Sequence, residues 1–489
     1  MDGSIAMDER IKSLYIFNPN LGQKEGTEFE KILYYYPPGE EEHVQSRNIG
    51  LACALIGFTS QFSPDAPCEL MQTRNAVHVF HHCEGGLHGG CDDVWMVATV
   101  LKVAPSEAAA AAEKAGKKGK QAAAAAPEGS EVHMDADVPG VRETLRLAWD
   151  TCRFFAQPTE QLLRGALGEG LTEWPSPRKP GWSPAPNEAW QLLRDRLGVF
   201  VPRYFSAMNL RRPDVLAPLQ GMHFLPVDKQ SYLRIQLMVN ALEMRCPGIA
   251  ATVFMYNGNI IYSGMDQAAT RVLYTFLVDH VAGGAAGGEG AAAAAGGAAV
   301  ANASADDPFS ILGVGCEAVL RTVHVGEGGE AHKLLAVQEE PATLVFLLHA
   351  DAELPDDFRR TLQTMLAPEL QLLSATVGSK AHRNATDQEF RFVYFNRMNL
   401  AVKVSAGATA RLSKEFMRHL CSMHREFNSA SEVREICVKT HADHWIIGRR
   451  AGEREFFVLL DQKQFSLADA NAEVERLSSA FFSNIFMGA

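Results

Sequence analysis

The residues best equipped for chemistry lie in one short run, His81-His82-Cys83, followed by His88 and Cys91. Imidazole and thiolate are zinc-ligand types, and a structural zinc site gathers four of them at spacings such as C-x2-C or H-x3-H. This run matches neither spacing, and Gly85-Gly86 and Gly89-Gly90 interrupt it as they would a loop, so no metal is expected here. His441, Asp443 and His444 would suit proton transfer or metal binding, but they fall between two strand-like runs, where a solvated hairpin turn is expected. Gly313 and Gly315 belong to no complete dinucleotide or phosphate-loop pattern, and no G-x-S-x-G nucleophile elbow occurs. The carboxylates are scattered, with no paired acid and base. Tyr34-Tyr35-Tyr36 would stack on a base or a partner, yet a row of aromatics at a strand end is expected to face its own core. The residues therefore predict no covalent catalysis, no metal and no cofactor.

The elements around them are more informative. Leu14-Tyr15-Ile16-Phe17-Asn18-Pro19-Asn20 and Lys31-Ile32-Leu33-Tyr34-Tyr35-Tyr36-Pro37 read as a hairpin, and the same opening recurs at Val253 to Tyr262 and at Phe392 to Val404. After the first hairpin, Ser46 and Asn48 stand as capping residues before a helix with Ile49, Leu51, Ala52, Leu55, Ile56 and Phe58 on its apolar face. Strands are expected at Ala76 to His81, Val94 to Leu101 and Glu131 to Met134, with a closing helix marked by Val141, Leu145, Trp149, Cys152 and Phe155. The second copy predicts a helix opened by a capping box from Ser263 to Asp266, then strands at Val319 to Val325, Lys333 to Gln338 and Thr343 to His349. Its closing helix carries Phe358, Leu362, Leu366, Leu370 and Leu373, with a kink at Pro368. The third copy predicts a helix with Phe416, Leu420 and Met423 and strands at Glu435 to Thr440, Trp445 to Gly448 and Glu455 to Leu460. A capping box from Ser466 to Asp469 then opens a helix that buries Leu467, Val474, Leu477 and Phe481. Each copy is two strands, a helix, three strands and a helix, which packs best as an α+β domain with a five-stranded, mostly antiparallel sheet.

Composition sets the limits. A chain of 489 residues exceeds one ordinary core, and 47% hydrophobic with 21% charged residues is a folded-protein composition. The net charge of -12 argues against a general nucleic-acid binder. Nine cysteines, odd in number and without a leader-like N-terminus, predict reduced thiols and a cytoplasmic protein. The Ala-rich stretch bearing Lys114, Lys117, Lys118 and Lys120 reads as a disordered insertion, and the Ala/Gly tract at residues 282–305 as a linker. Five prolines between Trp174 and Pro186 mark an extended connector. The expected domains are residues 10–170, 249–378 and 388–489, with a connector and two bridging helices, Leu192 to Met208 and Tyr232 to Met244, in residues 171–248. Pro226 and Asp228 serve as turn and cap between those helices.

Leu14 to Pro19, Glu25-Gly26, Lys31 to Tyr34, Arg47 to Leu51, Phe62-Ser63-Pro64 and Trp95-Met96-Val97 resemble the opening domain of the vacuolar fusion proteins called the Ccz-one family. Further matches run through Phe224 to Lys229, Ile260 to Gly264, Phe392 to Leu400 and Phe481 to Phe486. The Ala/Lys insertion, the His/Cys/Gly loop and the Ala/Gly tract depart from the family. The resemblance implies three longin domains and a partnership with the similar Mon-one protein. It also implies guanine-nucleotide exchange on a Rab-seven type small GTPase, peripheral on late endosome, vacuole or autophagosome membranes, with phosphoinositide binding at the membrane surface. It implies further that the first longin domains of both subunits pair and present the GTPase-binding surface. By position, Asn48, Ile49, Leu51, Ala52 and Leu55, with Trp95 on the adjoining strand, are the candidates for that surface. The rival expectation is a longin adaptor or tether that scaffolds trafficking complexes without releasing nucleotide. A longin SNARE fits less well, since no heptad helix or membrane span is seen at Phe486 to Ala489.

Overall fold

The computed structural model describes residues 7, 9–63, 68–84, 93–102, 137–156, 187–206, 215–225, 227, 229–278, 321–326, 328–339, 342–352, 358–381, 391–405, 413–430, 432–460 and 466–482. The expected strand Glu131 to Met134, with His88, Cys91, Gly313, Gly315, Pro226, Asp228, the Lys-bearing insertion, the proline connector and the Ala/Gly tract, lies outside the described residues. Residues Met1–Arg212 and Pro213–Ala489 are two separate compact units.

In the first unit, β1 (Ile11–Phe17) is apolar on both faces, as a central strand must be. A 3-10 turn at Glu28–Lys31 leads to β2 (Ile32–Tyr36), antiparallel to β1 with Tyr15 opposite Tyr35. Asn18 closes this hairpin: its N–H donates to Lys31 O at 2.9 Å and its Oδ1 accepts from Asn20 N at 2.8 Å. Helix α1 (Glu42–Ser60) follows. Its first residue lies well before Ser46 and Asn48, which are interior helix positions, and Glu41 at its N-cap makes no side-chain cap bond. Then come β3 (Leu70–Gln72), β4 (Ala76–Glu84) and β5 (Val94–Leu101), giving the strand order β2-β1-β5-β4-β3. The three residues of β3 complete the sheet; too short to show an alternating pattern, they carry no strand signal of their own. Helix α2 (Asp137–Ala156) and helix α3 (Asn187–Ser206) finish the unit, with Trp149 and Trp190 among its largest buried side chains. Helix α3, expected as a bridge, packs on the edge strand β2: Arg194 donates from Nε to Ile32 O at 3.0 Å and from Nη2 to Glu30 O at 2.8 Å.

The second unit holds two more sheets. It begins with the short helix α4 (Leu216–Leu219) and β6 (Met222–His223), then helix α5 (Lys229–Arg245). Strands β7 (Ile249–Tyr256) and β8 (Asn259–Ser263) turn at Asn257 and Gly258, both with positive φ, where Asn and Gly are the residues that tolerate it. Helix α6 (Gln267–Phe276) is capped by Asp266, whose side chain accepts from Ala269 N at 2.9 Å. Ser263, the expected cap, instead pairs with Thr270 through Oγ at 2.8 Å. Strands β9 (Arg321–Val325), β10 (Glu330–Glu339) and β11 (Ala342–His349) give the order β8-β7-β11-β10-β9. Helix α7 (Phe358–Ala381) runs through Pro368 as one element and packs with α5 over Phe254 and Phe346.

The third sheet contains β12 (Arg391–Asn396), β13 (Ala401–Val404), β14 (Glu435–Lys439), β15 (Trp445–Ala451) and β16 (Arg454–Leu460). Helix α8 (Lys414–Ser429), capped by Ser413 onto Phe416 N at 3.1 Å, covers one face; helix α9 (Leu467–Phe482) covers the other. The capping box at α9 forms as the residues predict, with Asp469 N donating to Ser466 Oγ at 3.2 Å and Ser466 N to Asp469 Oδ2 at 3.0 Å. Leu467 is 47% exposed rather than buried, because it sits in the first helical turn; Ala470 takes the inward position. This sheet has six strands, β14-β15-β16-β12-β13-β6, because β6 adds to β13 in parallel. The same segment also meets the second sheet: Phe224 bridges Ile260 of β8, and Leu225 N donates to Ile260 O at 2.8 Å. All three sheets share one order of hairpin, central strand and return strands. That order, with helices on the faces, is the longin architecture.

Candidate partner-binding surface

Helix α1 is the element to build from, because it is apolar on two sides. One side packs on the sheet: Ile49 and Ala52 are buried with Tyr15, Phe17, Phe80, Trp95 and Val97 in one cluster. Across the helix, Leu51, Phe58 and, just past its end, Phe62 are 50%, 59% and 74% exposed. Their spacing puts them along one outward stripe, and the Phe58 and Phe62 rings meet edge to face at 5.0 Å. A helix that is apolar all round is normally covered on both sides. Within its own unit, α1 has cover on only one described side.

This geometry divides the six candidate residues. Ile49, Ala52 and Trp95 are core, 2%, 1% and 3% exposed, and do not present a surface; position along the helix alone could not separate its two apolar sides. Trp95 is further tied down by Nε1 donating to Asp93 Oδ1 at 2.8 Å and by stacking on His82 at 4.6 Å. Leu51 is outward, Leu55 is partly buried at the helix margin, and Asn48 is half-buried with Nδ2 donating to Tyr35 Oη at 2.7 Å. Phe58 and Phe62, the largest exposed groups here, were legible as apolar residues but not as outward ones.

The chemistry-bearing residues are dispersed. His81 and His82 are neighbours on β4 and so point to opposite faces of the sheet. Burial, aided by Arg142 and Arg146 of α2, lowers His81 to about 4, whereas His82 lies 2.9 Å from Asp93 on the α1 side. Among the described residues no three His, Cys, Asp or Glu side chains come together to hold a metal. His441, Asp443 and His444 lie in the β14–β15 turn, where Asp443 has positive φ and pairs with Lys439 at 3.2 Å. Burial pushes the Cys53 thiol up to about 11 and Tyr34 up to about 12, so neither ionises near neutrality. Tyr15 and Tyr35 stack on each other at 5.6 Å, inside the domain. Arg194 occupies two carbonyl acceptors at the start of β2, those of Glu30 and Ile32.

Comparison with known proteins bears on what that partner is. Residues 11–107 match the model described as the first longin domain of INTU, CCZ1 and HPS4, and residues 386–477 match the Intu longin-like domain 3. A vacuolar fusion protein CCZ1 homolog from Nematostella vectensis is 30% identical over 490 residues, covering 97% of each chain. The chain belongs to the CCZ1 family. The homolog from Xenopus laevis is 27% identical with 97% of each chain covered, and that from Dictyostelium discoideum 27% identical with 96% of each. Membership in the CCZ1 family accounts for the three longin sheets, the first and third of which coincide with the two matched models. No helix among the described residues is long and apolar enough to cross a membrane.

Proposed function

We propose that the chain is a subunit of a heterodimeric guanine-nucleotide exchange factor. It pairs with a Mon-one protein and activates a Rab-seven type small GTPase in vacuolar, late endosomal and autophagosomal fusion. The observation that carries this reading is the second apolar side of α1, with Leu51, Phe58 and Phe62 exposed in the first longin domain. Such a stripe supports burial against another protein. The name of the family's members, vacuolar fusion protein, supports the trafficking setting.

Exchange needs no acid or base. A complex that binds the nucleotide-free GTPase more tightly than the loaded form weakens nucleotide by the same free energy, through reciprocal coupling. Residues on such a surface act by packing and by displacing the loops that hold nucleotide and Mg²⁺. The membrane is reached from the periphery, with a phosphoinositide surface as the proposed lipid contact.

The test is release of a fluorescent GDP analogue from a Rab-seven type GTPase. The heterodimer accelerates it, each subunit alone does not, and the Phe58→Ser/Phe62→Ser chain fails to assemble an active pair. No acceleration by an intact heterodimer would instead establish a longin adaptor or tether.

A further inference from the structure

Beside the outer stripe, α1 and the sheet border a small cleft that is partly open to solvent. Its origin is in the register of the sheet. On the α1 side, Tyr15, Val97 and Phe80 lie side by side as one apolar row, and Ser13, Thr99 and His78 form the next row as a polar one. The helix packs on the apolar row. The cleft opens where the polar row begins, so its wall is apolar at Leu51, Leu55 and Phe80 and polar at Lys12, His78 and Thr99.

Among the described residues no carboxylate lines this cleft, in a protein of net charge -12. Lys12 is exposed and supplies an ammonium. Thr99 Oγ1 lies 3.1 Å from His78 Nδ1. Burial, and secondarily Lys12, holds His78 below its ordinary pKa. The cation at the cleft is therefore Lys12, set beside aliphatic and aromatic carbon.

We propose that this cleft binds an extended segment of a partner protein in which a carboxylate side chain lies next to aliphatic ones. The carboxylate pairs with Lys12, and the aliphatic side chains pack on Leu51, Leu55 and Phe80. Charge complementarity selects the occupant: the acidic protein as a whole repels acidic segments, so a carboxylate-free recess with its own ammonium is a local exception to the field. Leu51 belongs both to the cleft wall and to the outer stripe of α1, so the two surfaces are continuous. The proposal rests on the reading that this face of the first longin domain meets protein partners, and it specifies the chemistry of what enters.

The probe is a fluorescein-labelled peptide with Glu followed by two Leu in a Gly/Ser context, read by anisotropy against the full chain. A matched peptide carries Lys in place of Glu. The expected result is a preference of about tenfold or more for the Glu peptide, reversed in the Lys12→Glu variant. Leu51→Ser weakens both peptides, and Phe29→Ser, at an exposed aromatic outside both the cleft and the α1 stripe, changes neither. Absence of binding, or equal loss of both peptides in Lys12→Glu, overturns the proposal. So does Lys12-dependent binding to phosphoinositide vesicles without peptide binding, since the recess would then serve lipid headgroups. Nucleotide exchange is measured separately: a heterodimer that fails to release nucleotide while the peptide preference reverses on charge swap refutes the exchange reading alone, and the opposite pair of results refutes the cleft alone.

Discussion

Removing His424 should be among the most damaging single changes in the third longin domain. Glu455 on β16 has a fully buried side chain, and its Oε2 lies 2.7 Å from His424 Nδ1 on α8. Its other oxygen, Oε1, has no hydrogen-bond partner among the described residues. The imidazole is held in turn by Asn428, whose Nδ2 lies 3.1 Å from His424 Nε2, and by its edge-on packing against Phe395 at 5.7 Å. His424→Ala leaves the carboxylate buried without its one hydrogen-bond partner among the described residues. Breaking a buried pair from one side costs roughly 3–5 kcal/mol, which exceeds the ~1 kcal/mol or less of an exposed pair such as Lys439–Asp443. Replacing both partners by Leu should cost far less than either single change, because no polar group is then stranded. A double-mutant cycle therefore has a large coupling energy, on the order of 2 kcal/mol or more. Because a chain of this size does not unfold in one step, the assay is amide hydrogen exchange read on β12 and β16. Opening free energies there should fall in His424→Ala and recover in the double Leu variant. A His424→Ala protein within about 0.5 kcal/mol of wild type, or a cycle without coupling, would refute the account of a carboxylate dependent on one imidazole.

Other expectations follow from the same structure. A Cβ at Gly221 would sit 2.2 Å from Val402 Cγ2, so Gly221→Ala should destabilise β6 by about 1–3 kcal/mol and deprotect the amides of Met222 to Leu225. His81 is lowered from 6.5 to about 4 by burial. The unfolded chain then binds the extra proton between those values, and stability is full above pH 6.5 and lost as pH falls through about 4. On moving from pH 7.5 to pH 5, amide hydrogen exchange on β4 and β5, corrected for the pH dependence of intrinsic exchange, should show opening free energies falling about 2 kcal/mol more in wild type than in His81→Gln, and equal losses would contradict the burial assignment. Ser413→Ala removes the α8 cap and should lower the opening free energy of the α8 amides by about 1 kcal/mol in hydrogen exchange, with Ser413→Asn preserving most of the stability. Phe58→Ser should leave stability within about 0.5 kcal/mol of wild type while weakening association with the partner subunit by pull-down titration.

Repetition was the most legible property of this chain. The three hairpins at Asn18, Asn257 and Asn396 announced three sheets because a two-strand opening has a local pattern: alternation, then a turn residue. Elements whose identity depends on distant partners were not legible. Strand β3 is too short to alternate, and β6 exists only because β13 offers it an edge. The caps divided on the same principle. Ser466 and Asp469 satisfy each other locally, as written, but at α6 Thr270 claims Ser263 and leaves the cap to Asp266. For the candidate surface, composition identified α1 as apolar but could not tell which side the sheet takes. Ile49 and Ala52 differ from Leu51 and Phe58 only in where β1, β4 and β5 lie. The recess at Lys12 was invisible for a related reason, since it depends on Ser13, Thr99 and His78 aligning across three strands.

The extended segment at Met222 to Leu225 closes two sheet edges at once, one through Leu400 to Val402 and the other through Ile260. Unpaired edges invite intermolecular pairing. A truncation placed between the second and third longin domains leaves this segment with the second domain and strips the guard from β13 of the third. The third domain is therefore not a portable module: expressed apart, it would carry the unguarded β13 edge and should be recovered as aggregates or as swapped dimers rather than as a monomer. An insertion into the chain is better tolerated elsewhere, and evolution in this lineage would be expected to lengthen other connections before touching these four residues.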